Sequence, residues 1–64
     1  MNTKVSIPDE LTAALARNKA AQTAWESLPP SHQREHAKYV AEAKQTETRE
    51  RRAAKTVETL AAAG

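Results

Sequence analysis

The chain has 64 residues, no cysteine and a net charge of +2 from ten basic and eight acidic side chains. A domain of this length removes only about 60% of its unfolded surface from water, so its core is too small to wall a deep catalytic cleft. Without cysteine it has neither disulfides nor thiolate metal ligands, and we expect a cytoplasmic protein. No apolar run has the length of a signal-peptide core or of a membrane span, so no membrane insertion is expected.

Residues 1–64 are predicted to form one domain, with residues 1–6 as a flexible tail. A short first helix is predicted near 9–17. Pro8 suits its start, because proline at a helix N-terminus loses no needed donor, and acidic residues follow it. The apolar positions then have helical spacing, at Leu11, Ala14 and Leu15.

A second helix is predicted near 20–28, after a break at Asn18, a residue that caps helices well. Its apolar stripe is the clearest in the chain and consists of Ala21, Ala24, Trp25 and Leu28. At this register Trp25 is interpreted as a core anchor rather than as an exposed binding residue. Pro29 and Pro30 end the helix, since two successive prolines cannot continue it.

Two further helices are predicted, near 32–44 and 46–62, with Ser31 and Thr46 as their caps. The buried face of the third is predicted to contain His32, His36, Tyr39, Val40 and Ala43. The seam of the fourth is predicted to be Ala53, Val57 and Leu60.

No segment alternates with the period of a strand, so the chain is predicted to be all-α. Its predicted architecture is a small bundle of three principal helices, with the short N-terminal helix packed across them. One core is expected to join Trp25, Leu28, Tyr39, Val40, Val57 and Leu60.

The segment from His32 to His36 matches the H-x-x-E-H pattern of inverted zinc peptidases. A catalytic zinc site needs a third protein ligand and a walled cleft, and the chain has no further histidine. We therefore interpret both histidines as ordinary residues of an amphipathic helix. No catalytic, metal-binding or cofactor-binding residue is assigned, and the protein is not expected to be an enzyme.

Basic residues cluster between 44 and 55, at Lys44, Arg49, Arg51, Arg52 and Lys55. Such a cluster is compatible with phosphate contacts, and successive short helices resemble a helix-turn-helix arrangement. However, Glu47, Glu50 and Glu58 are interleaved with it, so a mixed-charge solvated surface is the favoured interpretation.

Two roles are predicted for individual residues at the turn before the last helix. Arg49 lies beside the predicted seam and is expected to be structural, with Glu42 as its partner in a bidentate bracket across the turn. A candidate anion-binding or partner-binding group is also predicted there, because helix N-terminal amides carry partial positive charge. Its members are Lys44, Thr46, Thr48 and Arg52.

Several segments of the chain resemble the bacteriocin-protection family, also called YdeI or OmpD-associated. They begin with Ile7-Pro8-Asp9-Glu10-Leu11 and Trp25-Glu26-Ser27-Leu28-Pro29-Pro30-Ser31. The most specific segments are Val40, Glu42-Ala43-Lys44 and Glu47-Thr48-Arg49-Glu50-Arg51-Arg52.

The resemblance implies a small, all-helical bacterial domain grouped with proteins linked to bacteriocin tolerance or envelope stress, and it supplies no ligand residues. The leading hypothesis is accordingly a helical protein-interaction module with an unidentified protein partner, no cofactor and no catalysis of its own. The alternative is a nucleic-acid-binding accessory protein that acts through the basic turn at 44–55.

Overall fold

The computed structural model describes residues 7–63 of the chain; the predicted tail at 1–6 lies outside this range. Four α-helices follow one another, and no strand occurs within the described range, which confirms the predicted all-α class. The helices are α1 (Asp9–Ala16), α2 (Lys19–Ser27), α3 (Pro30–Ala41) and α4 (Thr46–Ala63).

The junction between α1 and α2 is built around Asn18. Its side-chain oxygen accepts a hydrogen bond from the Ala21 amide at 3.1 Å, so Asn18 is the N-cap of α2. From the first turns of α2, the Gln22 side chain donates to the Leu15 carbonyl at 2.9 Å. The Leu15 carbonyl also accepts the Asn18 amide at 3.1 Å, so this junction pairs polar backbone groups at the end of α1 and at the start of α2.

The junction between α2 and α3 follows the proline pair. Leu28 is extended (φ −73°, ψ 142°), the conformation that a following proline favours. The predicted cap Ser31 is wrong, because α3 already begins at Pro30, and the Pro29 carbonyl accepts the amides of His32 and Gln33. Proline is preorganised for the first helical position, and the helix starts two residues earlier than predicted, at Pro30 instead of residue 32.

The predicted boundary between α3 and α4 also needs correction. α3 ends at Ala41 instead of residue 44, and the amides of Glu42 and Ala43 close its last turn. Thr46 is the first residue of α4, and the Gln45 carbonyl accepts the Arg49 amide at 3.0 Å. Gln45 therefore holds the cap position that was predicted for Thr46.

α4 organises the packing, since it contacts each of the other three helices, and α1 most extensively. The domain is a flat slab with Cα extents of 31 × 28 × 15 Å. Its core cluster consists of Leu11, Leu15, Ala21, Trp25, Val40, Ala53, Val57 and Leu60. Within residues 7–63, no helix has the length and hydropathy that a membrane crossing requires.

The predicted core is right in four members and wrong in Tyr39. The side chains of Trp25, Val40, Val57 and Leu60 are buried together, and the half-buried Leu28 packs against them. Tyr39 is 42% exposed. The predicted inner face of this segment is right at Val40 and Ala43, which are buried, and wrong at Tyr39 and His32, which are exposed. Ala37 is buried in their place, so the inner face is turned slightly from the predicted one.

Candidate functional site: the corner between α3 and α4

The corner is the turn at residues 42–45 together with the end of α3 and the first turns of α4. Arg49 lies at its centre and pairs with a carboxylate of α1. Its Nε atom is 3.1 Å from Oε1 of Glu10, and the two side chains are only 27% and 19% exposed. Oε1 accepts no hydrogen bond of good geometry, so the contact is a close ion pair rather than an aligned hydrogen bond. The pair joins the first helix to the last one.

The same guanidinium also binds the end of α3. Nη1 of Arg49 donates to the carbonyls of Ala41 and Ala43, at 3.1 and 3.3 Å. The predicted partner Glu42 is wrong: its side chain is 58% exposed and lies 4.0 Å from Nζ of Lys38 on the same helix. Arg49 does cross the turn, but it reaches main-chain oxygens there and takes its carboxylate from α1.

The pKa of the Glu10 carboxyl is lowered from its ordinary value. A hydrogen bond from its own backbone amide is the largest cause of the lowered pKa, and the nearby charge of Arg49 acts in the same direction. Burial of the carboxyl opposes them. The ionised form of Glu10 is therefore the form that the folded domain favours.

Arg52 fixes the other side of the corner through two contacts with one residue. Its Nη1 atom donates to the Tyr39 carbonyl at 2.8 Å, and its guanidinium carbon lies 4.9 Å from the centroid of the Tyr39 ring. The ring provides a cation–π platform for the charge. Among residues 7–63 the ion pairs are Lys38–Glu42, Arg49–Glu10 and Arg51–Glu47, so Arg52 has no carboxylate partner there.

The four residues predicted to bind an anion are not equivalent in the structure. Lys44 and Thr46 are exposed at the turn, whereas Thr48 and Arg52 are half-buried and lie one turn apart on α4. Next to them, Glu47 is 3.3 Å from the guanidinium of Arg51, so negative charge already occupies the first turn of α4. Anion binding at this turn stays a prediction.

The two histidines have different surroundings. His32 is exposed, and His36 is half-buried with its ring centroid 6.2 Å from that of Trp25. No group of three or more His, Cys, Asp and Glu side chains in the described part of the chain is arranged to hold a metal ion. His36 thus packs at the edge of the core.

Sequence reasoning missed two features of this corner. The Glu10–Arg49 pair joins residues from opposite ends of the chain, and no local pattern relates them. The Tyr39–Arg52 contact was missed because Tyr39 was predicted to lie in the core, whereas its ring lies on the surface beside α4. A detectable signal was the excess of basic side chains in the first turns of α4, which the carbonyls at the end of α3 attract.

The fold and this corner define a small all-α domain in which two arginines of the last helix secure the end of the preceding one. The chain belongs to the bacteriocin-protection, YdeI or OmpD-associated family, whose model matches residues 4–63. This confirms the resemblance inferred from the sequence.

A curated relative shows the same relationship. The chain is 37% identical over 59 residues to the uncharacterized protein YdeI of Bacillus subtilis strain 168. The alignment covers 92% of this chain and 30% of that protein, so the chain spans about a third of the relative's length. No solved structure matches the chain.

Proposed function

We propose that the chain is a bacterial helical protein-interaction module, with no catalysis of its own, that acts in the cytoplasm. The observation that supports this proposal is that the corner holds one arginine in structural contacts and exposes an aromatic side chain. Arg49 is committed to holding three helices together, while Tyr39 is the one large apolar side chain that residues 7–63 expose. Single exposed apolar residues are common, but aromatic residues and arginine are both enriched at protein interfaces.

The alignment with the Bacillus protein supports a modular role. There the matching segment is 30% of a longer chain. A unit of this kind is suited to bringing a partner to a neighbouring segment. On that basis the proposal extends to this chain the link with bacteriocin protection that the family's name states.

Nucleic-acid binding through residues 44–55 is the second candidate. It is favoured by the exposed side chains of Lys44 and Lys55 and by Arg52, which has no ion pair in the described range. It is weakened by Arg49 and Arg51, since each is paired with a carboxylate and contributes little positive potential.

Affinity capture from the native cytoplasm, with and without nuclease and over rising salt, separates the two candidates. We expect a protein complex that survives nuclease and loses little affinity with salt. Material that is lost on nuclease treatment and falls steeply with salt would instead establish the nucleic-acid function. Leu60→Asp, which places a carboxylate in the core, controls for capture by unfolded chain.

A further inference from the structure

We propose that Tyr39 and Arg52 form a docking surface for an acidic segment of a partner protein. A carboxylate of that segment binds the guanidinium of Arg52, and a neighbouring apolar side chain packs on the exposed part of the Tyr39 ring. The proposal rests on the interaction function proposed above and adds a place and a chemistry to it.

The guanidinium of Arg52 is held ready for such a ligand. The Tyr39 carbonyl uses one of its five N–H donors, and its guanidinium carbon lies over the Tyr39 ring, 4.9 Å from the centroid. The remaining donors are available for a carboxylate, which arginine binds through paired hydrogen bonds. Because these contacts already restrict the side chain, less rotamer freedom is lost on binding than for a mobile surface arginine.

Tyr39 supplies the apolar half of the surface. Its side chain is 42% exposed, and the arginine contact occupies one region of the ring. Tyrosine and arginine are the residue types that most often dominate binding energy at protein interfaces. Because Tyr39 and Arg52 contact each other, an apolar ring and a positive charge lie side by side on the surface of the corner.

The charges around this surface fit a short acidic segment better than a long polyanion. Lys55 lies one helical turn from Arg52 and is exposed, whereas Glu42, one turn from Tyr39, is accompanied by Lys38 at 4.0 Å. Glu35, one turn before Tyr39, is also exposed, so the basic side chains of this surface are those on α4, Arg52 and Lys55. The outward face of α4 carries acidic side chains that would repel an extended phosphate backbone, Glu47, Glu50 and Glu58.

The test is a titration of the isotopically labelled full chain with a short capped peptide of alternating glutamate and leucine. We expect saturable shifts centred on the Tyr39 amide and the Arg52 side-chain N–H, with a Kd of about 1 mM. Arg52→Gln should weaken binding about tenfold, as the loss of a charged hydrogen-bonding partner does. Arg51→Gln removes the same charge from the outward face of α4 and should leave binding unchanged.

Two further variants keep the test decisive if Arg52→Gln disturbs the corner. Arg52→Lys retains the charge but lacks the planar fork, and it should bind several-fold more weakly while its spectrum stays that of the folded domain. Tyr39→Ala should weaken the glutamate–leucine peptide but change little for a peptide in which serine replaces leucine.

Other outcomes would overturn the proposal. A glutamine–leucine peptide that binds as tightly as the glutamate–leucine peptide would do so, as would binding that Arg52→Gln leaves unchanged. An oligonucleotide of equal charge that binds more tightly than the peptide would also do so, as would shifts that depend on protein concentration because the chain self-associates. A nuclease-resistant protein complex in the capture experiment that is unaffected by Arg52→Gln would refute this surface and leave the interaction function standing. Absence of any protein complex would refute the interaction function itself.

Discussion

Single side chains decide how stable this small domain is, and its two aromatic residues differ sharply in this respect. Trp25 is 7% exposed in the core cluster, whereas Tyr39 lies on the surface. We predict that Trp25→Ala lowers the free energy of unfolding by about 3–5 kcal/mol, which is close to the whole stability of a domain this size. Chemical denaturation followed by circular dichroism measures the change.

Tyr39→Ala is the matched control for the tryptophan variant. It removes an aromatic ring of which a large part is already in water, so its cost should be well below that of Trp25→Ala. Equal losses of stability in the two variants would contradict the assigned burial of Tyr39. A Trp25→Ala variant with the parent's transition would place Trp25 outside the core.

Glu10 makes stability depend on pH in a defined direction. Its folded-state pKa lies below the ordinary value of 4.5, so ionisation of the carboxyl favours folding. This contribution is fully present above the ordinary pKa and is lost as the pH falls through the lower folded-state pKa. We predict that Glu10→Gln lowers the Tm at neutral pH and flattens the decline of Tm as the pH falls below the ordinary pKa of 4.5.

Thermal unfolding over this pH range tests the role of Glu10, with Glu58→Gln as the control. Glu58 is exposed on α4 and takes part in none of the ion pairs found among residues 7–63. Its variant should keep the acid sensitivity of the parent. If Glu10→Gln also kept it, the lowered pKa would not be coupled to folding.

At the scale of helices, Arg49 connects the end of α3, the start of α4 and α1. We predict that Arg49→Lys destabilises the domain by about 1–3 kcal/mol, because lysine cannot reach Glu10 and two carbonyls with one planar group. Hydrogen exchange should quicken most at the amides of Glu42 and Ala43, which close the last turn of α3. Denaturation and exchange measurements report the two effects.

Arg51→Lys is the control for the Arg49 variant, since Arg51 is an exposed residue of the same helix. Its contact with Glu47 is a surface ion pair one turn apart, of the kind that contributes less than about 1 kcal/mol. A loss of stability as large in Arg51→Lys as in Arg49→Lys would show that the corner does not depend on the geometry of Arg49.

The helices could be predicted from the sequence wherever a local signal marks their ends. Asn18 and the proline pair place two junctions, because capping and the constraint on the residue before proline act within a few residues. The burial of Val40 was predicted, but the exposure of Tyr39 could not be predicted in this way, since the packing of α3 against α4 decides which of the residues beside Val40 are buried. Histidine and tyrosine, being partly polar, fit either side of a helix.

The candidate site was predicted less well than the helices, for a related reason. Arg49 and Arg52 stand out locally as charges at the start of a helix, but their partners are fixed by tertiary packing. Arg49 pairs with Glu10 because α1 crosses α4 at that point, and Arg52 binds Tyr39 because α3 ends beside it. Charge patterning identified the two residues without identifying what they contact.

At the scale of the whole molecule, α4 is the helix that the other three share. α2 and α3 meet through side chains, since the His36 ring lies beside Trp25 and the Gln33 side chain donates to the Trp25 carbonyl at 2.8 Å, and each helix also packs against α4. The loss of α4 from the core would leave α1, α2 and α3 with little apolar surface to bury against one another. The domain is therefore expected to unfold in one cooperative step, as small single domains usually do.

We predict that Leu60→Ala lowers the midpoint of unfolding. The decrease should be the same whether unfolding is followed by Trp25 fluorescence or by the circular dichroism of the helices. Leu60 is 4% exposed on α4, and the fluorescence probe lies on α2, so a common shift requires that both helices unfold together. The cost should be about 2–5 kcal/mol, as for other buried leucines. Ala54→Gly, at an exposed position of α4, should cost about 1 kcal/mol through helix propensity and also move both midpoints. If fluorescence and circular dichroism separated in either variant, α2 would unfold independently of α4 and the shared core would not be a single cooperative unit.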